Sequence, residues 1–132
     1  MTIPVLTIAS GNQRKVSEIS EMLDVLSLRV EKQPEYLKVE ETGSNYFENA
    51  LLKAKAASLE TKTWALADDS GLEVDYLDGR PGIYSARYAK NNIEKITKLI
   101  NELSDSPYRS ARFISCMAVS YTHLTLPTKR IV

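Results

Sequence analysis

The chain has 132 residues, of which 43% are hydrophobic and 26% charged, and these values predict one soluble globular domain rather than a disordered chain. Lys plus Arg and Asp plus Glu number 17 each, so no net field recruits a nucleic acid or a membrane surface. The lone cysteine, the absence of a basic leader and the absence of any run near ~20 apolar residues together predict a cytoplasmic protein.

The N-terminal stretch has the pattern of a strand, a turn and a helix. Ile3–Ala9 is predicted to be a buried strand, and Ser10–Asn12 breaks it. Such a junction leaves free backbone N–H groups at the start of the following helix, and these groups, with Lys15 in its first turn, favour a phosphate. A glycine turn at such a junction is also common for geometric reasons alone. The apolar face predicted for this helix contains Val16, Ile19, Leu23 and Leu26.

A second strand and a second helix follow. Residues 28–32 alternate like a half-exposed strand, and Asn45 with Glu48 three residues later predicts a capped helix start. Glu40 and Glu41 precede that start, where acids are favoured by the helix dipole alone. The predicted apolar face of the helix contains Phe47, Ala50, Leu51 and Ala54.

The central stretch places two adjacent acids after an apolar segment. Trp64–Ala67 is predicted to be a short buried strand that ends at Asp68 and Asp69, with a turn at Ser70–Gly71. Desolvated like charges must share a proton, find basic partners or hold a cation, so the pair suggests a hard metal such as Mg²⁺. The alternative is that one of the acids caps the turn.

The remaining elements continue the alternation. After a turn-rich loop at 78–82, Asn91 and Glu94 predict another capped helix, and Arg109–Val119 is predicted to be an interior strand. The order favours an α/β fold with a partly parallel sheet. The apolar stripe predicted for the third helix contains Ile93, Ile96, Ile100 and Leu103.

The segment Ser120–Val132 differs from the rest. All acidic residues lie at or before Asp105, and the segment shows no helical periodicity. We expect His123 to be a bystander and Cys116 to be a core residue.

Four groups of residues, taken in order, resemble the inosine/xanthosine triphosphate pyrophosphatase family. The groups are Ser10–Lys15, Glu40–Gly43 with Phe47–Ala50 and Lys53–Ala54, Ala67–Leu72, and Pro81–Tyr88. The resemblance implies an α/β fold with a mixed central sheet, flanking helices and two lobes, and a homodimer. It also implies Mg²⁺-dependent hydrolysis of dITP, ITP or XTP to the monophosphate and pyrophosphate.

The resemblance assigns roles residue by residue. Asp69 resembles the base that activates water, and Lys15 resembles the residue that neutralises charge as the phosphates are bound. Arg87 resembles a second cation near the phosphates. The implied substrate-binding residues are Ser10, Gly11, Asn12, Gln13, Arg14, Lys15 and Ser70, and the implied Mg²⁺ ligands are Glu40 or Glu41, Asp68 and Asp69.

The resemblance covers Ile3–Val119, so residues 1–119 are expected to form the pyrophosphatase domain and residues 120–132 a non-matching tail. The family's later purine-gripping segments are not found after Val119. We therefore expect a C-terminally truncated chain with an incomplete second lobe, an exposed apolar strand edge and weak base selectivity. Two alternatives are a nucleotide-binding fragment without turnover and an Mg²⁺-dependent phosphomonoesterase with an aspartate nucleophile.

Overall fold

The computed structural model describes residues 3–121 in full and residues 124–131 as backbone. Two short 3-10 turns, Asp75–Leu77 and Gly82–Arg87, accompany the main elements. Those elements are β1 (Val5–Ile8), α1 (Gln13–Met22), β2 (Arg29–Lys32), α2 (Tyr46–Thr61), β3 (Trp64–Val74), α3 (Asn92–Leu103), β4 (Ala111–Tyr121) and β5 (Leu124–Ile131).

The sheet has the order β2-β1-β3-β4-β5. β1 lies between two parallel partners, with Leu6 opposite Val30 of β2 and Trp64 of β3. Parallel neighbours need crossover connections, and α1 and α2 provide helices for them. The carboxyl ends of β1 and β2 therefore lie at the same edge of the sheet.

β3 and β4 run antiparallel. The Trp64 ring stacks on Tyr121, with centroids 4.8 Å apart, and the Asp75 amide donates to the Ser110 carbonyl at 3.0 Å. From Trp64 to Asp75 the residue number rises, while that of the contacting residue falls from Tyr121 to Ser110. Two strands whose numbering runs in opposite directions form an antiparallel pair. The sheet is therefore mixed, and the predicted α/β class is confirmed.

The predicted end of the third strand at Asp68 and Asp69 is wrong. β3 continues to Val74, so the expected turn at Ser70–Gly71 is part of a strand. β4 runs beside β3 over this length and offers hydrogen-bonding partners to its backbone. A pairing strand thus overrides the local turn preference of Ser and Gly.

The helix caps were predicted correctly. The Asn45 side chain accepts from the Glu48 amide at 2.8 Å, and Asn91 accepts from the Glu94 amide at the same distance. The Glu48 carboxylate in turn accepts from the Ser44 amide at 2.6 Å, and that bond lowers the pKa of Glu48. Short-range spacing is sufficient to specify these contacts.

The chain forms two compact units. The first runs to Asp68 and resumes at Cys116, and the second is built from Asp69–Ser115. In the first unit, one apolar cluster lies against α1 and the other contains Ala50 and Ala54 of α2. In the second unit, the cluster is Val74, Leu77 and Leu103, with Leu72 and Leu99 beside it.

The predicted apolar faces are confirmed only in part. Val16 and Ile19 are buried as expected, whereas α1 ends at Met22 and Leu26 is exposed. In α2, Phe47 and Leu51 are only partly buried, while Ala50 and Ala54 are fully buried. In α3, Leu103 is buried, but Ile93, Ile96 and Ile100 are exposed.

The C-terminal region extends the sheet further than predicted. β4 continues to Tyr121, and the backbone of β5 lies outside it, so the expected edge at β4 is wrong. The domain boundary after Val119 stays a prediction. Cys116 is buried as expected, and His123 lies outside the described residues. No helix of the described residues is long and apolar enough to cross a membrane.

Candidate functional site

A cleft of about 360 Å³ opens in the first unit, at the edge where β1 and β2 end. Ligands of parallel α/β sheets bind at this edge, outside the carboxyl ends of the strands. The cleft is lined by Ala9, Ser10, Gly11, Asn12, Lys15, Gln33, Leu37, Lys38, Val39, Glu41 and Lys53.

The turn between β1 and α1 forms one wall and is held by its own side chains. The Ser10 hydroxyl accepts from the Asn12 amide at 3.1 Å. Asn12 Oδ1 accepts from the amides of Arg14 and Lys15 at 3.0 and 3.3 Å. The expectation that these helix-start amides are free is therefore wrong for Arg14 and Lys15, because Asn12 is a strong N-cap.

Gly11 lies at the open side of this turn. A Cβ built on Gly11 would meet no atom within 4 Å, so the protein's own packing does not require glycine here. The space that a side chain would take is open to the cleft. A ligand can therefore approach the backbone of this turn closely.

Lys15 and Asp68 form the central ion pair. Lys15 Nζ lies 3.0 Å from Asp68 Oδ1, and the Asp68 side chain is 11% exposed against 31% for Lys15. A buried carboxylate was expected to share a proton, find a basic partner or hold a cation, and Asp68 has a basic partner in Lys15. The pair joins the helix-start turn to the middle of β3.

Glu41 and Lys53 form a second ion pair in the cleft, with 3.6 Å between Lys53 Nζ and Glu41 Oε1. Glu41 lines the cleft, whereas Glu40 is exposed and is not part of its lining. Which of the two would hold a metal ion stays a prediction. Lys53 was not among the predicted site residues, although Lys53–Ala54 belongs to one of the groups that carry the family resemblance.

The other predicted residues are not among those that line the cleft. Gln13 and Arg14 are exposed in the first turn of α1, where Arg14 pairs with Glu18 at 3.6 Å. Asp69 is 6% exposed and belongs to the second unit, as does exposed Ser70. The Arg87 guanidinium, also in the second unit, lies over the Tyr84 ring, 5.6 Å from its centroid.

Within residues 3–121, no group of three or more His, Cys, Asp or Glu side chains is arranged to hold a metal ion. Mg²⁺ commonly binds through one or two carboxylates together with substrate phosphates, so a large protein cage is not required. Glu41 and Asp68 are hard oxygen donors of the kind that Mg²⁺ prefers. The residues present therefore fit the ion only together with an anionic ligand.

The fold and the cleft define an α/β protein in which lysines and one glutamate line an opening beside a strand–turn–helix junction. The chain belongs to the Ham1 family, whose model matches residues 6–130. The family predicted from the sequence motifs is thereby confirmed.

Similar proteins agree with this membership. The chain is 52% identical over 120 residues to a "dITP/XTP pyrophosphatase" of Synechococcus sp. (strain CC9311). The aligned residues cover 91% of this chain and 58% of the relative. A Synechocystis sp. protein of the same name is 43% identical, with 89% and 61% covered. The chain thus spans about three-fifths of these relatives.

Solved structures show the same fold. The Staphylococcus aureus Ham1 protein has a TM-score of 0.85 and 39% identity, over 97% of this chain and 69% of that one. A HAM1 protein from Coxiella burnetii has a TM-score of 0.86 and 36% identity, over 97% and 70%.

Proposed function

We propose that this protein hydrolyses non-standard purine nucleoside triphosphates, namely dITP, ITP or XTP, to the monophosphate and pyrophosphate. The observation that carries the proposal is the cleft, in which the turn at Ser10–Lys15 faces the same opening as Glu41 and Lys53. The names of the curated relatives support this substrate class. We further propose a cytoplasmic homodimer that uses Mg²⁺.

The cationic side of the cleft would bind the triphosphate. Lys15 and Lys53 supply full positive charges, and the open backbone at Gly11 allows a phosphate to approach the turn. As phosphate oxygens arrive, Lys15 can exchange Asp68 for them, because a charge-assisted bond to phosphate replaces the one it gives up. The remaining turn residues, Ser10–Arg14, keep Lys15 at the start of α1.

The acidic side would hold the metal and move the proton. Glu41 and Asp68 are the proposed Mg²⁺ ligands in the first unit, and Asp69 is the proposed base. Bound Mg²⁺ would neutralise phosphate charge, which is the main catalytic requirement of phosphoryl and nucleotidyl transfer. Asp69 would accept the proton of the water that attacks the α-phosphorus, and Ser70 would contact the substrate.

The product distribution tests the reaction. With Mg²⁺ and inosine triphosphate, the proposal requires release of pyrophosphate and inosine monophosphate. Release of orthophosphate alone would instead support the phosphomonoesterase alternative. The same assay with xanthosine and guanosine triphosphates measures base preference.

Two variants test the roles. Asp69→Asn keeps the shape of the side chain but loses its charge, so turnover should be abolished with the fold intact. Lys15→Ala should raise the barrier by about 2–4 kcal/mol, as for other groups that stabilise developing charge. Lys55→Ala is the control, because Lys55 is exposed on α2 and does not line the cleft. A near-normal rate for Asp69→Asn would refute the assignment of the base.

Nucleotide binding without turnover is the second candidate. One observation favours it: the two carboxylates proposed to bind Mg²⁺ in the first unit, Glu41 and Asp68, are each paired with a lysine. Those pairs must open before either carboxylate can hold a metal. Calorimetry that shows Mg²⁺-independent binding of inosine triphosphate, together with no product of either kind, would select this candidate.

A further inference from the structure

The acidic loop before α2 is attached to one face of that helix at two points. Asn49 and Lys53 are four residues apart on α2 and therefore lie on the same face. Asn49 contacts the backbone of the loop, and Lys53 contacts its acidic side chain. The two contact points, Gly43 and Glu41, are separated by one residue.

The first attachment leaves no spare room. The Gly43 amide donates to Asn49 Oδ1 at 2.7 Å, and Asn49 is fully buried. A Cβ on Gly43 would lie 2.6 Å from the Glu48 Cβ and 2.7 Å from Asn49 Oδ1. Real Cβ atoms do not approach other atoms so closely, so only glycine fits here without a backbone shift.

The second attachment sets the direction of the carboxylate. Lys53 Nζ lies 3.6 Å from Glu41 Oε1, and its side chain is 16% exposed, so water screens the pair only in part. Glu41 itself is in a loop without regular backbone hydrogen bonding. Its position therefore depends on the loop being held nearby, at Gly43.

We infer that Asn49 and Gly43 act as a positioning pair, hereafter the loop latch, that holds the Glu41 carboxylate at the cleft. The latch acts through Glu41 and touches no substrate. This inference rests on the proposed function for its catalytic consequence, whereas its structural consequence stands without it. A shift of the loop by the width of one methyl group would move Glu41 away from any ion bound with the phosphates.

The structural consequence is measured by amide hydrogen exchange in the ligand-free protein. Asn49→Leu keeps the volume and removes the acceptor, so exchange at the Gly43 amide should be faster by about ten-fold, the effect of losing one buried hydrogen bond. Asn49→Asp keeps an oxygen acceptor and should restore slow exchange. Unchanged exchange in Asn49→Leu would overturn the latch.

The control is Asn45→Ala. Asn45 caps α2 through the Glu48 amide, whereas the Gly43 amide donates to Asn49. Asn45→Ala should lower the stability of α2. The Gly43 amide, in the loop before α2, should stay protected from exchange relative to the amides of that helix. Equal acceleration of the Gly43 amide by Asn45→Ala and Asn49→Leu would mean that Asn49 only stabilises the helix, and the inference would fail.

The catalytic consequence is measured by a double-mutant cycle. Asn49→Leu should lower kcat and raise the Mg²⁺ concentration needed for half-maximal rate, but add little in a Glu41→Gln background, because both changes act through one carboxylate. Additive effects would overturn the positioning role. If Asn49→Leu does not fold, Gly43→Ala tests the same contact from the other side.

The two levels of failure are separable. Amide exchange needs no turnover, so it decides the latch even if the protein hydrolyses no nucleotide. Conversely, pyrophosphate release with normal exchange in Asn49→Leu would leave the proposed function standing and remove the latch.

Discussion

Helices α2 and α3 begin alike and end up in different surroundings. Each starts after an asparagine in extended conformation, with φ of −150° and −148°, whose side chain accepts from the amide three residues later. In α2, the inward alanines Ala50, Ala54 and Ala57 are all fully buried. In α3, Ile93, Ile96 and Ile100 remain 79%, 59% and 56% exposed.

The difference shows that a cap is a local property and burial is not. At about 100° per residue, the apolar side chains of α3 from Ile93 to Leu103 fall within an arc of about 120°. Only Leu99 and Leu103, at one side of that arc, pack against Val74 and Leu77. The apolar face of a helix thus predicts which of its side chains can be buried. The neighbouring elements decide how many of those side chains are buried.

The largest expected effect on stability is the difference between a buried and an exposed apolar residue of α3. Leu103→Ala should lower the free energy of unfolding by about 2–5 kcal/mol, because it opens a cavity in the small cluster with Val74 and Leu77. Ile96→Ala should change it by about 0.5 kcal/mol or less, as for other exposed positions. Urea denaturation measures both. Comparable losses would show that the exposed isoleucines are in fact covered.

Overpacking should be the next largest effect. Ala54 is fully buried among other alanines, so Ala54→Leu should cost about 1–3 kcal/mol. Ala56→Leu, at a partly exposed position of the same helix, is the matched control and should cost less. Thermal unfolding of the pair gives the difference, and equal melting temperatures would contradict the tight packing of α2.

The caps should show the smallest difference between the helices. Asn45→Ala and Asn91→Ala each remove one acceptor at a helix start, so each should cost about 1 kcal/mol. Chemical denaturation of both variants measures the losses. A cost confined to α2 would mean that burial, and not the cap, determines the contribution.

Titration of the Tyr88 phenol tests a contact that holds α3, because this phenol donates a hydrogen bond to Glu102 of that helix. Burial and the 2.5 Å hydrogen bond to Glu102 raise the pKa of Tyr88 to about 12. The unfolded tyrosine has a pKa of about 10, so this stabilisation is complete below pH ~10 and is lost as pH rises towards ~12. Ultraviolet titration of the wild type should show a late-titrating phenol that is missing from Tyr88→Phe, and identical curves for the two proteins at high pH would contradict the bond.

Most of the first unit's site could be predicted from short-range patterns. The strand, turn and helix around Ser10–Lys15 depend on residues close in sequence, as does the cap at Asn45. That Glu41 and not Glu40 lines the cleft could not be predicted, because both satisfy the same electrostatic rule before a helix. Lys53 was not predicted as a site residue for a different reason: a lysine on a helix is solvent-exposed by default until a carboxylate is found beside it.

The sequence alone specified the family, the alternation of strands and helices, and the identity of the charged groups, since each of these depends on residue type and near-neighbour spacing. The folded chain decided which charges meet, as Lys15 meets Asp68 and Lys53 meets Glu41. It also decided that β3 continues past Asp69 and through Ser70–Gly71, where the residues predict a turn. The physical reason is the same in both cases: a strand or an ion pair is completed by a partner distant in sequence, and local preference is overridden where that partner is supplied.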